Sequence, residues 1–172
     1  MKEYKEKVPQ YLFDLWASHG LGKYNNGLIE LVNPKKYEPT LWRWLGKEVP
    51  QYVPIAIDGF GNLFYFKNLP QDDFNIEAGL TQEVCLINIQ TRKIEHLTWS
   101  LEEFFESWLT NQNNKNTWLN MALFNEAVEL YGGLELGEIF CLAPALSLGG
   151  AFNLENLKKG NALVYQDILF EF

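Results

Sequence analysis

The sequence predicts an α+β fold in a single domain, with a mostly antiparallel or mixed central sheet flanked by helices. Its 172 residues fit one domain. Apolar residues make up 47% and aromatic residues 15% of the chain, which is enough for a core rich in rings. Helical spacing of apolar residues near both ends encloses a middle stretch of short apolar runs and turns, without internal repeats. We assign residues 1–8 to a charged leader and residues 9–172 to the domain.

The N-terminal part predicts two helices separated by a strand. Residues 8–20 have a proline near the start and a glycine at the end, as helices often do. Residues 28–32 form an apolar run that predicts a short strand. Asn33 and Pro34 then suit the cap and first residue of a second helix, which ends at Gly46.

The middle of the chain predicts two β-hairpins. Residues 53–57 and 63–66 flank a glycine-rich turn, and residues 84–89 and 94–97 flank a polar turn. Residues 70–81 between the hairpins form a polar loop.

The C-terminal part predicts further helices and one strand. Ser100 and Glu103 have the spacing of a capping box at a helix start. A following helix is expected over about residues 116–131, and a late strand over 139–142. Residues 162–172 are compatible with helix or strand, and we favour helix.

Nothing in the sequence indicates a catalytic, metal or cofactor site. His19 lies on the apolar stripe of the first helix and is interpreted as a core residue, whereas His96 alternates within a strand and faces water. Cys85 and Cys141 lie in apolar runs typical of buried strands. The spacings of Cys/His metal sites and of phosphate-binding glycine loops are absent. We therefore expect no metal, no cofactor and no catalysis.

The chain also lacks a signal peptide and any apolar span long enough to cross a membrane. This predicts a cytoplasmic protein that does not contact a membrane.

Charge is the most informative feature of the sequence. The net charge is -8, which disfavours direct binding of nucleic acid because Lys and Arg must neutralise its phosphates. Eight glutamates and a single lysine lie between Glu95 and Glu138. Taken alone, this pattern favours solvated outer faces of amphipathic helices; the alternative is an acidic surface that attracts a basic protein partner. The candidate contacts of that surface are Glu102, Glu103, Glu106, Glu126, Glu129 and Glu135.

Several short segments, in this order and spacing, carry a resemblance to a known family. They are Leu-Trp at 15–16, His-Gly-Leu-Gly at 19–22, Leu-Val-Asn-Pro at 31–34, Pro-Ile-Ala at 54–56, Gly-Asn-Leu-Phe at 61–64, Leu-Glu-Glu-Phe-Phe at 101–105, Gly-Glu-Ile-Phe at 137–140, Pro-Ala-Leu-Ser-Leu-Gly-Gly at 144–150 and Asn-Leu-Lys at 156–158. The chain resembles the GAD-like (GAD-related) domain family, which includes immunity proteins that neutralise DNase effectors of type VI secretion. Its layout is also similar to that of the SUKH superfamily of immunity proteins.

The resemblance implies a non-enzymatic immunity protein whose partner is a cognate toxin, with a basic nuclease as the expected class. The acidic surface would occlude the active site of that toxin, and exposed aromatic side chains would supply further binding energy. Two alternatives stay open. One is a small-molecule-binding or enzymatic domain with an aromatic-rich pocket, to which Asp72, Asp73 and Glu77 could contribute. The other is a SUKH-like regulatory scaffold.

Overall fold

Six consecutive strands pair with their neighbours in chain order, all antiparallel. A computed structural model describes residues 4–69 and 81–172 of the chain. The strands of this sheet are β1 (Gly22–Tyr24), β2 (Ile29–Leu31), β3 (Val53–Asp58), β4 (Leu63–Asn68), β5 (Gln82–Asn88) and β6 (Lys93–Thr98). A second sheet pairs β7 (Glu138–Leu142) with β8 (Leu157–Asn161), also antiparallel.

The helical part of the described residues consists of six α-helices, one π-helical turn and three short 3-10 helices at Asn25–Gly27, Leu146–Leu148 and Leu154–Asn156. The α-helices and the π turn are α1 (Gln10–His19), α2 (Pro34–Leu45), α3 (Leu101–Glu103), the π turn (Phe104–Trp108), α4 (Gln112–Thr117), α5 (Met121–Tyr131) and α6 (Ala162–Glu171). The architecture is therefore α+β, as the sequence predicts.

The large sheet separates two apolar cores because successive strand residues point to opposite faces. Leu86 of β5 belongs to the core that includes residues of α1, α3, the π turn and α5. Its neighbour Cys85 belongs to the other core, with residues of α2 and α6. Tyr4 and Val8, within the segment assigned to the leader, are buried in the first core.

The turn between β3 and β4 inserts between elements from the C-terminal part of the chain. The Phe140 amide donates to the Gly59 carbonyl at 2.8 Å, and the Gln166 side-chain amide donates to the Gly61 carbonyl at 2.7 Å. The Phe60 ring meets Phe124 of α5 edge to face, with 6.1 Å between ring centroids. We call residues 58–62 the junction turn, because it connects the N-terminal half of the chain to α5, β7 and α6.

Most predicted elements are confirmed. The helices expected over residues 8–20 and 162–172 are α1 and α6, and both predicted hairpins are present as β3–β4 and β5–β6. Asn33 caps α2 by accepting from the Lys35 amide, and Gly46 ends the helix in a left-handed conformation.

Other predictions need correction. The single helix expected over residues 116–131 is two helices, α4 and α5, because Asn120 between them adopts a left-handed conformation that breaks the helix. Strands β1 and β8 were not predicted; each lacks an alternating apolar pattern and is held by its partner strand. Residues 70–80 of the predicted polar loop lie outside the described residues.

Candidate functional site

The six candidate glutamates are all exposed, and none forms an ion pair within the part of the chain that the structure describes. They lie on three elements. Glu102 and Glu103 belong to α3 and Glu106 to the π turn, Glu126 and Glu129 belong to α5, and Glu135 lies in the segment before β7. We call Glu102, Glu103 and Glu106 the acidic ridge.

One ridge residue also serves the local fold. The Glu103 carboxylate accepts from the Trp99 amide at 3.2 Å, while the Ser100 hydroxyl oxygen accepts from the Glu103 amide at 3.1 Å. This is the predicted capping pair, with the carboxylate bonded one residue earlier than the usual motif places it. Of the ridge, Glu103 is therefore the residue whose substitution would also disturb the helix start.

The other two ridge residues face α1. Burial raises the pKa of the Tyr11 hydroxyl, and the Glu106 charge, a hydrogen bond to Glu106 and the Glu102 charge raise it further. The Tyr11 ring also packs on Phe105, with 6.3 Å between centroids. The ridge and the outer side of α1 thus form one continuous surface.

An apolar cleft of about 250 Å³ opens beside this surface, between α1, the β1–β2 hairpin and the π turn. Its walls are Leu15, Ile29, Leu31, Phe105 and Leu109. Ile29 and Leu31 are buried in the sheet, so one wall of the cleft is held by strand pairing. We call this feature the apolar cleft.

The π turn places side chains of one short helical segment in three environments: the core, the apolar cleft and the acidic ridge. The Leu109 amide donates to the Phe104 carbonyl at 2.9 Å, an i to i+5 hydrogen bond. Phe104 and Trp108 stack in the core with 5.6 Å between centroids. Phe105 and Leu109, one position further along, line the cleft. Single π turns of this kind are frequent at functional sites.

Three nitrogen-bearing side chains, His19, Asn25 and Lys115, also line the cleft. His19 is exposed, which corrects the expectation that it belongs to the core; its Nδ1 lies 2.8 Å from the Ser18 hydroxyl. Lys115 is half-buried, and its side chain makes no hydrogen bond or ion pair with the described residues. No carboxylate or thiol of the described chain lines this cleft.

The remaining nucleophile candidates are chemically inert. Burial raises the pKa of the Cys85 and Cys141 thiols to about 12, so both stay protonated at neutral pH. His96 is exposed, and its Nδ1 lies 3.1 Å from a Glu83 carboxylate oxygen. Among residues 4–69 and 81–172, no group of His, Cys, Asp and Glu is arranged to hold a metal ion.

Two carboxylates are buried instead: Asp58 holds its own turn together, and Glu30 connects distant parts of the chain. Asp58 accepts from the Phe60 and Asn62 amides and from the Asn62 side chain at 2.7–3.0 Å. Burial raises the pKa of Asp58 to about 6, although these hydrogen bonds lower it. Glu30 of β2 pairs with Lys23 at 2.9 Å and accepts from the Gly137 amide at 2.9 Å.

Exposed aromatic side chains are scarce. Among the described Phe, Tyr and Trp residues, Phe172 is the one that is mainly exposed, at 61%. It follows α6, which packs on the opposite face of the large sheet from the acidic ridge. Beside the acidic ridge, Tyr11 and Phe105 are half-buried, so the contribution of exposed aromatic side chains to binding stays a prediction.

Asp72, Asp73 and Glu77, the carboxylates of the enzymatic alternative, lie outside the described residues. In the described part of the chain, no helix has the length and apolar character needed to cross a membrane.

Comparison with known proteins identifies the two parts of the chain. Residues 1–79 match the family model of the GAD-like domain, and residues 99–172 match the model described as T6SS immunity protein Tdi1, C-terminal. The crystal structure of Atu4351 from Agrobacterium tumefaciens is similar in fold, with a TM-score of 0.70 and 20% sequence identity, covering 99% of this chain and 78% of that one. No curated protein sequence matches this chain. Together the two matches span most of the sequence, and they support the resemblance to the GAD-like domain family and to type VI secretion immunity proteins.

Proposed function

We propose that this protein is an immunity protein that acts in the cytoplasm by binding a cognate toxin effector and neutralising it without catalysis. The observation that carries the proposal is the match of residues 99–172 to the C-terminal part of a type VI secretion immunity protein, next to a GAD-like domain. The inert thiols and the absence of a carboxylate from the apolar cleft agree with a role in binding rather than in catalysis.

The finer part of the proposal concerns the class of toxin. A nuclease must carry a basic groove to hold phosphates. Glu102, Glu106, Glu126 and Glu129 are exposed carboxylates without ion pairs in the described chain, so their charge is available to a basic partner. We propose that these glutamates cover the substrate groove of a nuclease effector and thereby occlude its active site.

The first experiment tests the immunity role itself. The effector encoded beside this gene is expressed in a bacterial host with and without this chain, and a catalytically inactivated effector is used for co-purification. We expect restored growth and a stable complex. Unrestored growth, or restored growth without a complex, would contradict neutralisation by binding.

A second experiment tests the acidic surface. The triple variant Glu102→Lys, Glu126→Lys, Glu129→Lys removes glutamates that accept no hydrogen bond from the backbone. A matched control, Glu6→Lys, Glu48→Lys, Glu171→Lys, changes the net charge equally at exposed positions elsewhere. Association rates with the inactivated effector are measured at low and moderate salt.

We expect the first triple variant to slow association by roughly ten-fold or more at low salt, and the control to slow it much less. Salt should reduce the difference, because it screens exposed charges. Equal rates for the two triple variants would exclude this surface as the docking site, while leaving the immunity role intact.

A further inference from the structure

We infer that the apolar cleft receives one apolar side chain of the effector, projecting from a basic surface of that protein. The inference rests on the proposed function and adds to it a defined anchoring site. The sequence patterns that predict the acidic surface do not indicate this cleft. Its walls come from residues that are far apart in the sequence, between Leu15 and Lys115, and that only the fold brings together.

The size and lining of the cleft fit a side chain better than a cofactor. Its volume of about 250 Å³ lies below the roughly 300–1,000 Å³ of typical small-molecule sites. Its walls are mainly aliphatic or aromatic, with His19, Asn25, Thr110 and Lys115 also in the lining, and the described chain places no carboxylate there. Burying one Leu, Ile or Phe side chain in such a place tightens a complex by roughly ten- to hundred-fold.

The anchor must come from the partner, because this chain does not offer one. Protein interfaces typically depend on a few buried aromatic or aliphatic anchors that fill pockets on the other side. Near the acidic ridge the described chain presents half-buried rings such as Tyr11 and Phe105, and none that projects into solvent. A preformed cleft on this chain can instead accept an anchor side chain from the partner.

The charges around the cleft indicate the surface that carries the side chain. Phe105, a wall of the cleft, is followed directly by Glu106 of the acidic ridge, and Tyr11 contacts both. A protein whose side chain enters the cleft therefore meets Glu106 and Glu102 at once, which favours Lys and Arg beside the anchor. Lys115, unpaired among the described residues, can donate to a main-chain carbonyl of the inserted segment.

The same charges disfavour a second copy of this chain as the occupant. The chain carries a net charge of -8, and its described aromatic side chains beside the ridge do not project. A second copy would bring carboxylates against Glu102 and Glu106, and like charges in contact destabilise an interface.

The test fills the cleft from within. Leu109→Trp places a larger apolar side chain at a cleft wall, and Leu148→Trp makes the same change at an exposed turn residue outside the cleft. Because Leu109 is half-buried, Thr110→Trp at the exposed margin of the cleft serves as a second blocking variant. The dissociation constant for the catalytically inactivated effector is measured for each, together with the melting temperature and the sedimentation velocity of the free protein.

We expect at least one cleft variant that retains the wild-type melting temperature to bind the effector roughly ten-fold or more weakly, while Leu148→Trp binds as the wild type does. Unchanged affinity of stably folded Leu109→Trp and Thr110→Trp overturns the inference. Two other results would also overturn the inference. One is a wild-type dimer that the cleft variants dissociate without any change in their affinity for the effector. The other is a small molecule that co-purifies with the wild type and is displaced in the cleft variants. The proposed function is tested separately by the wild-type protein. If the wild type neither binds the effector nor restores growth, the proposed function fails before any cleft variant is made.

Discussion

Carboxylates occupy two contrasting environments in this protein. Asp58 and Glu30 are buried: Asp58 accepts hydrogen bonds within its own turn, and Glu30 accepts from the Gly137 amide, far along the chain. Glu126 and Glu129 on α5 are exposed and make no ion pair among the described residues. The same chemical group is thus structural at the junction of the two ends of the chain and available for binding on the helical surface.

The largest effect is expected from Glu30→Ala. This change removes the carboxylate that pairs with Lys23, whose ammonium keeps only the Glu138 carbonyl, and it leaves the Gly137 amide without its acceptor in a largely buried place. The free energy of unfolding should therefore fall by about 4 kcal/mol. Urea denaturation measures the loss, and Glu48→Ala, at an exposed position, is the control. A loss no greater than that of the control would show that the buried pair does not hold the two ends together.

A pH effect is expected from Asp58. Its pKa is about 6 in the folded protein, against 3.8 for the free side chain, because burial disfavours its charged form. The folded state therefore binds the proton more tightly, so the stability that this group contributes is complete below about pH 4 and is lost as the pH rises through 6. The difference in unfolding free energy between wild type and Asp58→Asn should shrink by about 3 kcal/mol over this range.

The comparison of wild type with Asp58→Asn cancels the titration of the other carboxylates. A difference that stays constant between pH 4 and 7 would mean that Asp58 is not buried as a titrating group.

A smaller loss is expected from Gly59→Ala in the junction turn. The added Cβ would overlap the Phe124 ring of α5, and overpacking of this kind costs about 2 kcal/mol. Gly133→Ala is a matched control, since a Cβ there meets no atom within 4 Å. Phe124→Leu should recover part of the loss in the double variant; strictly additive effects would contradict direct contact between turn and helix.

The smallest effect on stability is expected from the exposed glutamates. The variant Glu102→Lys, Glu126→Lys, Glu129→Lys should change the free energy of unfolding by about 0.5 kcal/mol or less per site, because these carboxylates have no ion pair to lose in the described chain. Thermal denaturation at moderate salt checks this. A large loss would show that the glutamates serve the fold, and the contrast with Asp58 and Glu30 would disappear.

The elements predicted correctly are those with local signals. Asn33 caps α2 and Gly46 ends it, and Ser100 caps α3, because these contacts join residues a few positions apart. The hairpins follow from short turns between apolar runs. The family was also recognisable from short segments distributed along the chain, and both family models confirm it.

Two of the errors have non-local causes, and the third is a local helix break that the apolar spacing does not show. Strand β8 contains two lysines and a glycine and is a strand because it pairs with β7. The break at Asn120 places α4 and α5 at separate positions, although the apolar spacing is compatible with one helix. His19 shares the apolar stripe of α1, yet it lies where the helix ends beside an open cleft.

For the candidate site, composition and order along the chain were sufficient to locate the acidic segment and to identify which glutamates stand on outer helix faces, because helical periodicity is a local property. Contacts between residues far apart in the chain decide which carboxylates are paired. The same contacts decide where a cleft remains. Glu30 is structural because Lys23 and Gly137 meet it, and the apolar cleft exists because α1, the β1–β2 hairpin and the π turn leave a gap where they pack. Such contacts are set by the packing of whole elements, which no local pattern encodes.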